Sequence, residues 1–289
     1  MSSSKASERI VVVTGASRGA GKGIALALGA TGATVYVTGR TTQKGTAPLP
    51  GTVFETAEEI TRAGGVGVPV VCDHGDDAQV EALFERVKDA HGRLDILVNN
   101  ASAIPEGLLD HGPFWKRPLG IVDMLDVGAR STFVASWHAA PLLIASAGGL
   151  VVNTSGFGGG CYMHGPAYGA AKAAVDKMSH DMGVDFRPYN VCAISLCMAL
   201  LKTERTLQIF ESQPEVFGER ARNAESPLFV GRVIDALSKA PDRMDRSGKV
   251  WIAAELGQAL GVREDDGCEP QSRRAMLGGP WEYNPAIIG

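Results

Sequence analysis

Residues 10–21 read IVVVTGASRGAG, and this stretch decides the fold. Ile10, Val11, Val12 and Val13 form an unbroken β-branched run with no polar alternation. A strand that is apolar on both faces belongs inside a parallel sheet, with helices covering each side. The run then breaks into a turn whose glycines, Gly15, Gly19 and Gly21, follow the spacing G-x-x-x-G-x-G. Residues 23–32, rich in Ala and Leu, follow as a helix. A strand, a glycine turn and a helix N-terminus together make a cradle for a dinucleotide's phosphates. Gly15 permits the tight turn, Gly19 lets backbone approach the pyrophosphate, and Gly21 lets the helix pack on the strand. Ser17, Arg18 and Ala20 lie in the same turn and complete its candidate cofactor contacts.

Outward from the turn the same rhythm repeats. The patterning predicts strands over 34–38, 66–72, 94–99, 150–154, 191–196 and 249–253, with helices over 56–63, 77–91, 120–147 and 167–186. Strands alternating with helices give an α/β chain: a single-domain Rossmann fold, with a doubly wound, parallel, seven-stranded sheet flanked by helices. With 289 residues, 45% of them hydrophobic, and no linker dividing the chain, one domain over 1–289 is expected. Residues 1–8 read as a disordered tail and 41–52 as a long loop at the adenosine end. Residues 198–245 read as a polar, substrate-side helical segment, and 261–289 as an extension without pattern.

Composition excludes several classes. A net charge of −4 with no clustered basic face gives no nucleic-acid footprint. No apolar run approaches the roughly 18 residues a membrane span requires, and the polar N-terminus lacks a secretory core. Cys72, Cys161, Cys192, Cys197 and Cys268 form no C-x-x-C pair and no metal cluster. No metal is expected, and free thiols fit a reducing cytoplasm.

The strongest local motif is Tyr168-Gly-Ala-Ala-Lys172. On a helix, i and i+4 share a face, so phenol and ammonium enter one pocket. Ser155 ends the fifth strand thirteen residues earlier. A Ser155–His164 nucleophile pair is disfavoured, because Asn153-Thr154-Ser155-Gly156 is not the G-x-S-x-G elbow of hydrolases.

TGASRGAG, Asn99-Asn100-Ala101-Ser102 and the Ser155/Tyr168/Lys172 set resemble the short-chain dehydrogenases/reductases, over residues 8 to 255. The resemblance implies hydride transfer between a nicotinamide and a carbonyl or secondary alcohol, with Ser155, Tyr168 and Lys172 catalytic. Tyr168 would be the acid/base, lowered from its usual pKa of about 10 by Lys172 and the positive nicotinamide ring. Ser155 would hold the substrate oxygen, and Lys172 would also bind the nicotinamide ribose.

Strand two ends at Arg40 with no acid, and Arg18 lies in the turn, which in the family goes with NADP(H) rather than NAD(H). The resemblance also puts Asp73 and the His74 backbone at the adenine, Asn99 and Ala101 at the ribose and sheet, and Leu200 and Thr203 at the carboxamide. Asp73 reads equally as a helix cap.

Two positions depart from the pattern. Gly128 stands where the family has an Asn that bends a helix and helps carry protons from the lysine to solvent. Met198-Ala199 stands where it has Pro-Gly. Gly128 with Phe114-Trp115 resembles the branch that includes dehydrogenase/reductase SDR family member 1.

The candidate substrate wall is Phe157, Cys161, Tyr162, His164, Met198, Leu207, Phe210 and Phe217, mostly apolar, for a small hydrophobic substrate. The family commonly associates through helices beside the active site, and Ala170, Ala173 and Ala174 would allow it, so a homo-oligomer (dimer or tetramer) is expected. The departures leave a low-turnover NADP(H)-binding scaffold as the alternative function.

Overall fold

The structure, a computed structural model, describes residues 9–280 and 282–288. The expected tail, 1–8, lies outside the described residues. β1 (Ile10–Val13) runs through the glycine turn into α1 (Gly19–Gly29). There follow β2 (Thr34–Gly39), α2 (Val53–Arg62), β3 (Val66–Val71), α3 (Asp77–His91), β4 (Ile96–Asn99), α4 (Ser131–Ala145), β5 (Leu150–Gly156), α5 (Pro166–Asp185) and β6 (Cys192–Met198). Then come α6 (Glu204–Ser212), α7 (Pro214–Arg222), α8 (Pro227–Lys239), β7 (Val250–Ile252), α9 (Ala253–Ala259) and α10 (Arg274–Leu277).

All strand pairs are parallel, in the order β3-β2-β1-β4-β5-β6-β7. The order reverses between β1 and β4, which opens a crevice at the carboxyl ends of the strands. One face of the sheet is covered by α1 and α8, through Ile24, Leu28, Phe229 and Ile234. The other is covered by α3 and α4, through Leu83, Phe84, Leu142 and Leu143.

The helix ends differ in a way that marks the site. Asp76 caps α3, accepting from the N–H groups of Ala78 and Gln79, and Gly92 closes it in a left-handed turn. At α1 there is no side-chain cap from Arg18 and no acid in the first turn. Its first N–H, that of Gly19, is instead taken by Glu204 from α6.

One sequence expectation is corrected, and two others gain detail. The helix expected over 120–147 begins only at Ser131: residues 119–122 make a 3₁₀ turn, and the π-type turn 125–130 breaks at Val127 and Gly128. Gly128 adopts φ 158° and ψ −68°, which no helix accommodates. Within the mostly helical and polar segment 198–245, α8 buries Phe229, Val230, Val233, Ile234 and Leu237 against α1. Polar α6 and α7 masked it. Gly231 allows the contact, since a Cβ there would stand 2.9 Å from Ile24 Cα. The 261–289 extension has local order: α10 is tied back to α9 by Arg274, whose guanidinium donates to both Glu255 carboxylate oxygens (2.8 and 2.6 Å).

Candidate active site

The glycine turn is built by close approach. A Cβ on Gly15, whose φ is 65°, would lie 2.9 Å from Ala101 Cα. One on Gly21 would meet the Gly15 carbonyl at 2.5 Å and crowd Asn100 Nδ2. Two residues that sequence reading passed over brace the turn. Thr14 Oγ1 accepts from the backbone N–H of Asn100 (2.8 Å) and of Ala101 (2.9 Å), and Asn100 Nδ2 donates to the Thr14 carbonyl (2.9 Å). Their signal was adjacency: a hydroxyl just before the turn and a second amide in Asn99-Asn100. Glu204, also unforeseen, crosses from α6 and accepts from the Gly19 N–H at 2.9 Å, in the cradle itself.

At the adenosine end the two arginines separate. Arg18 donates to the carbonyls of Pro50 (3.1 Å) and Gly51 (2.7 Å), which pins the 41–52 loop beside the turn. Arg40 is 73% exposed, with Asp73 at 3.5 Å. The cap of α3 is Asp76, so Asp73 does not fill that role. The His74 ring turns inward, Nε2 2.7 Å from Thr38 Oγ1, and burial pushes its pKa down to about 4. Asn99 also faces inward. Its amide donates to Ser136 Oγ (2.9 Å) and Asn153 Oδ1 (2.8 Å), so its side chain braces the sheet.

Helix α5 carries Tyr168 and Lys172 on one face. Lys172 Nζ donates to the Thr154 carbonyl (3.3 Å) and stands 5.8 Å from the Tyr168 ring centroid. The glycine-heavy loop admits the ring: a Cβ on Gly156 would lie 2.8 Å from the Tyr168 hydroxyl, and one on Gly158 would meet Cδ1 at 2.5 Å. Ser155 is 3% exposed, and its buried Oγ has no hydrogen-bond partner. A buried polar atom left unpaired costs free energy unless a ligand pairs it.

Burial acts on Tyr168 in the opposite sense to the lowering expected from Lys172 and the nicotinamide ring. Burial pushes the phenol up to about 12, with Cys197, Cys161 and Asp176 adding to the rise. Burial also lowers the Lys172 ammonium, which Asp176 opposes. In the chain alone every influence on the phenol raises its pKa, so Tyr168 is neutral.

After β6, Thr203 caps α6 in a reciprocal pair with Thr206 (2.8 and 3.3 Å). The chain there lacks Pro-Gly and is held by Glu225 instead: its N–H donates to the Leu200 carbonyl (2.9 Å), and its carbonyl accepts from the Lys202 N–H (2.8 Å). The Glu225 carboxyl is 1% exposed, with Oε1 unpaired, and burial pushes it up to about 7.

An apolar cleft of about 380 Å³ is lined by Phe114, Trp115, Leu119, Ile121 and Val122 together with His164. Of the substrate candidates Phe157, Tyr162, His164 and Met198, the cleft includes only His164, whose ring meets Tyr168 edge-on at 5.1 Å. Phe157 is buried against Cys197 and Ile252, Met198 packs on the core, and Tyr162 is 78% exposed. Cys161 packs against the Phe157 cluster, Leu207 is exposed, and Phe210 contacts Phe217 at 5.9 Å beyond this cleft. The cleft forms because residues 114–122 fold over 164–167, a contact fixed by Arg117 Nη1 donating to the His164 carbonyl (2.8 Å). The clue was the run of large apolar side chains in a proline-rich loop, which water would not favour unless covered.

Among the described residues no cluster of His, Cys, Asp or Glu could hold a metal, and no helix is long and apolar enough to cross a membrane.

Comparison with known proteins agrees with this geometry. The short chain dehydrogenase family model matches residues 9–214. Dehydrogenase/reductase SDR family member 1 from Mus musculus is 38% identical over 270 residues, which cover 90% of this chain and 84% of the relative. Its Homo sapiens counterpart is 36% identical over 271 residues, with the same shares covered. Two solved structures share the fold. A short chain dehydrogenase from Mycobacterium thermoresistibile has TM-score 0.72 at 23% identity, covering 88% of each chain. Actinorhodin polyketide ketoreductase, solved with NADPH, has TM-score 0.72 at 23% identity, covering 85% of this chain and 95% of its own. Family model and relatives agree over most of the chain's length, and the protein belongs to the short-chain dehydrogenases/reductases, oxidoreductases that work with a nicotinamide cofactor, in the branch resembling dehydrogenase/reductase SDR family member 1.

Proposed function

We propose that the protein is an NADP(H)-dependent oxidoreductase that interconverts an apolar carbonyl compound and its secondary alcohol, with Tyr168 as acid/base. The observation that carries this reading is the unpaired, buried Ser155 hydroxyl on the residue before Gly156, against which the neutral Tyr168 hydroxyl packs. A substrate carbonyl oxygen is the acceptor both hydroxyls lack. The nearby cleft, lined by Phe114, Trp115 and Leu119, supports an apolar substrate.

The residues present fit a nicotinamide dinucleotide. The turn at Gly15, Gly19 and Gly21 would hold a pyrophosphate once the Glu204 carboxylate gives up the Gly19 N–H, with Ser17, Ala20 and Ala101 around it. Leu200 and Thr203 would flank the nicotinamide carboxamide. Arg40, exposed beside Asp73, supports a 2′-phosphate contact, while Arg18 would act through the loop it pins. When bound, the reduced cofactor supplies a hydride to the substrate carbon. Ser155 Oγ–H orients the substrate oxygen, Tyr168 Oη–H gives it a proton, and Lys172 steadies the phenolate that remains.

Exposed Phe133 and Trp137 sit one turn apart on α4, and Ala170 is exposed on α5, which supports self-association on that side in a cytoplasmic enzyme. A carbonyl panel assayed with NADPH tests the reaction, and Tyr168→Phe should abolish the activity found. Arg40→Ala should cost at least tenfold in Kd for NADPH and little for NADH. Tight NADPH binding with no turnover, indifferent to Tyr168→Phe, would favour a binding scaffold instead.

A further inference from the structure

Tyr168, as the acid/base of the proposed function on which this inference rests, must regain a proton after each reduction. The amide through which relatives relay protons is missing at Gly128. Nor are the main-chain groups there free: the Gly128 N–H donates to Ser131 Oγ (3.0 Å), and its carbonyl accepts from Thr132 Oγ1 (2.6 Å).

One further buried titratable group shares the helix face of Tyr168 and Lys172. Asp176 lies one turn beyond Lys172 and two beyond Tyr168 on α5, and it is 6% exposed. Its Oδ1 accepts from Ser195 Oγ at 2.6 Å. It stands beside Ser155, whose hydroxyl favours the ionised carboxyl without reaching hydrogen-bond geometry. Asp176 also lines a cavity of about 20 Å³, bounded by Gly156, Cys197, Leu277 and Gly279. That is room for about one water with a carboxyl at hand. Gly279, on its outer wall, is exposed to solvent. Lys172 on α5, Ser155 on β5, Ser195 and Cys197 on β6 and Tyr283 in the C-terminal segment are the groups that face Asp176.

We propose that Asp176 returns protons to the Lys172–Tyr168 pair, taking them from solvent through the water-sized cavity under residues 277–280. In reduction, the Tyr168 Oη–H bond breaks as its proton joins the substrate oxygen, while hydride from the reduced nicotinamide completes the alcohol. The phenolate takes a proton from the Lys172 ammonium, and the amine takes one from the Asp176 carboxylic acid through an intervening water, since the two groups influence each other by charge without a direct ion pair. The Asp176 carboxylate takes one from the cavity water, which solvent replenishes. Each alcohol formed consumes one solvent proton, and oxidation reverses every step. Burial holds the Asp176 carboxyl above its ordinary range, as suits a group that both takes and gives protons.

Asp176→Asn keeps the size and the acceptor for Ser195, so it isolates the proton. Expected are a roughly tenfold fall in kcat for reduction, an unchanged Kd for NADPH, an altered pH profile of kcat and a larger solvent deuterium isotope effect. The melting temperature at pH 7 should hold or rise, because a buried carboxylate with a raised pKa destabilises the fold above its unfolded pKa. Leu277→Trp, which blocks the cavity from outside, should slow kcat in the same pH-dependent way. A wild-type pH profile and isotope effect in both variants, with Tyr168→Phe inactive, would overturn the relay while sparing the acid/base. A lower melting temperature with an unchanged pH profile would make Asp176 structural only and also overturn it. Activity that survives Tyr168→Phe would instead remove the proposed function.

Discussion

Glu204 should compete with the cofactor. Its carboxylate accepts from the Gly19 N–H at 2.9 Å, and that N–H belongs to the helix end a pyrophosphate needs. A hydrogen bond to a charged group contributes roughly 1.5–3 kcal/mol, and Glu204 is half-exposed, so the low end applies. Binding that must first break about 1.5 kcal/mol is weakened about tenfold. Glu204→Gln keeps the length and exchanges a charged acceptor for a neutral one. It should tighten NADPH binding about fivefold, and Glu204→Ala about tenfold. Isothermal titration with NADPH reads the change directly. Inorganic pyrophosphate as a second titrant should show the same order, because the competition lies at the phosphates. The free protein should melt slightly lower in Glu204→Ala, since a contact between α6 and α1 is gone. Unchanged or weaker dinucleotide binding in both variants would refute the competition, and Glu204 would then merely fasten α6 to α1.

Gly21→Ala should cost about 1–3 kcal/mol by overpacking against Gly15 and Asn100, with NADPH binding lost; denaturant titration against the wild type checks it. For Glu225, the folded pKa of about 7 lies above the ordinary carboxyl value, so stability present below pH 4.5 is lost as pH rises through 7. Glu225→Gln should therefore melt like the wild type near pH 4.5 and gain, up to roughly 3 kcal/mol, by pH 8; a constant difference across that range would be inconsistent with the shift. Gly128→Asn should cost about 1–3 kcal/mol through its positive φ without raising turnover, as melting and a rate assay would show.

Most of the fold was legible because it is local. β1 is buried on both faces, and its β-branched run said so. The placement of Tyr168 and Lys172 on one helix and of Ser155 at a strand end was legible for the same reason, because helix face and strand end are local properties. What failed was tertiary. The cleft depends on residues 114–122 crossing to 164–167, and no periodicity encodes that crossing. Arg18 and Arg40 looked equivalent as charges, yet one is taken by the carbonyls of Pro50 and Gly51. The rise of Tyr168 depends on how much water the glycine loop excludes, and a lysine four residues away does not report that.

The departures from the family pattern make more sense as pairs in space than as losses in sequence. A side chain on Gly128 would begin 3.5 Å from Ser102 Oγ, and Ser102 is itself the residue that replaces the last glycine of the Asn-Asn-Ala motif. A polar group missing on one side is thus matched by a hydroxyl gained on the other. Met198-Ala199 removes a turn that proline would stiffen, and the same loop is gripped by Glu225 through both of its main-chain groups. Stiffness lost from φ is replaced by hydrogen bonds. If these positions were drifting in a binding scaffold, the losses would have no reason to meet complementary groups. Their pairing favours a chain shaped for turnover, as the proposed function requires, and the proposed relay through Asp176 would then supply the proton to Tyr168.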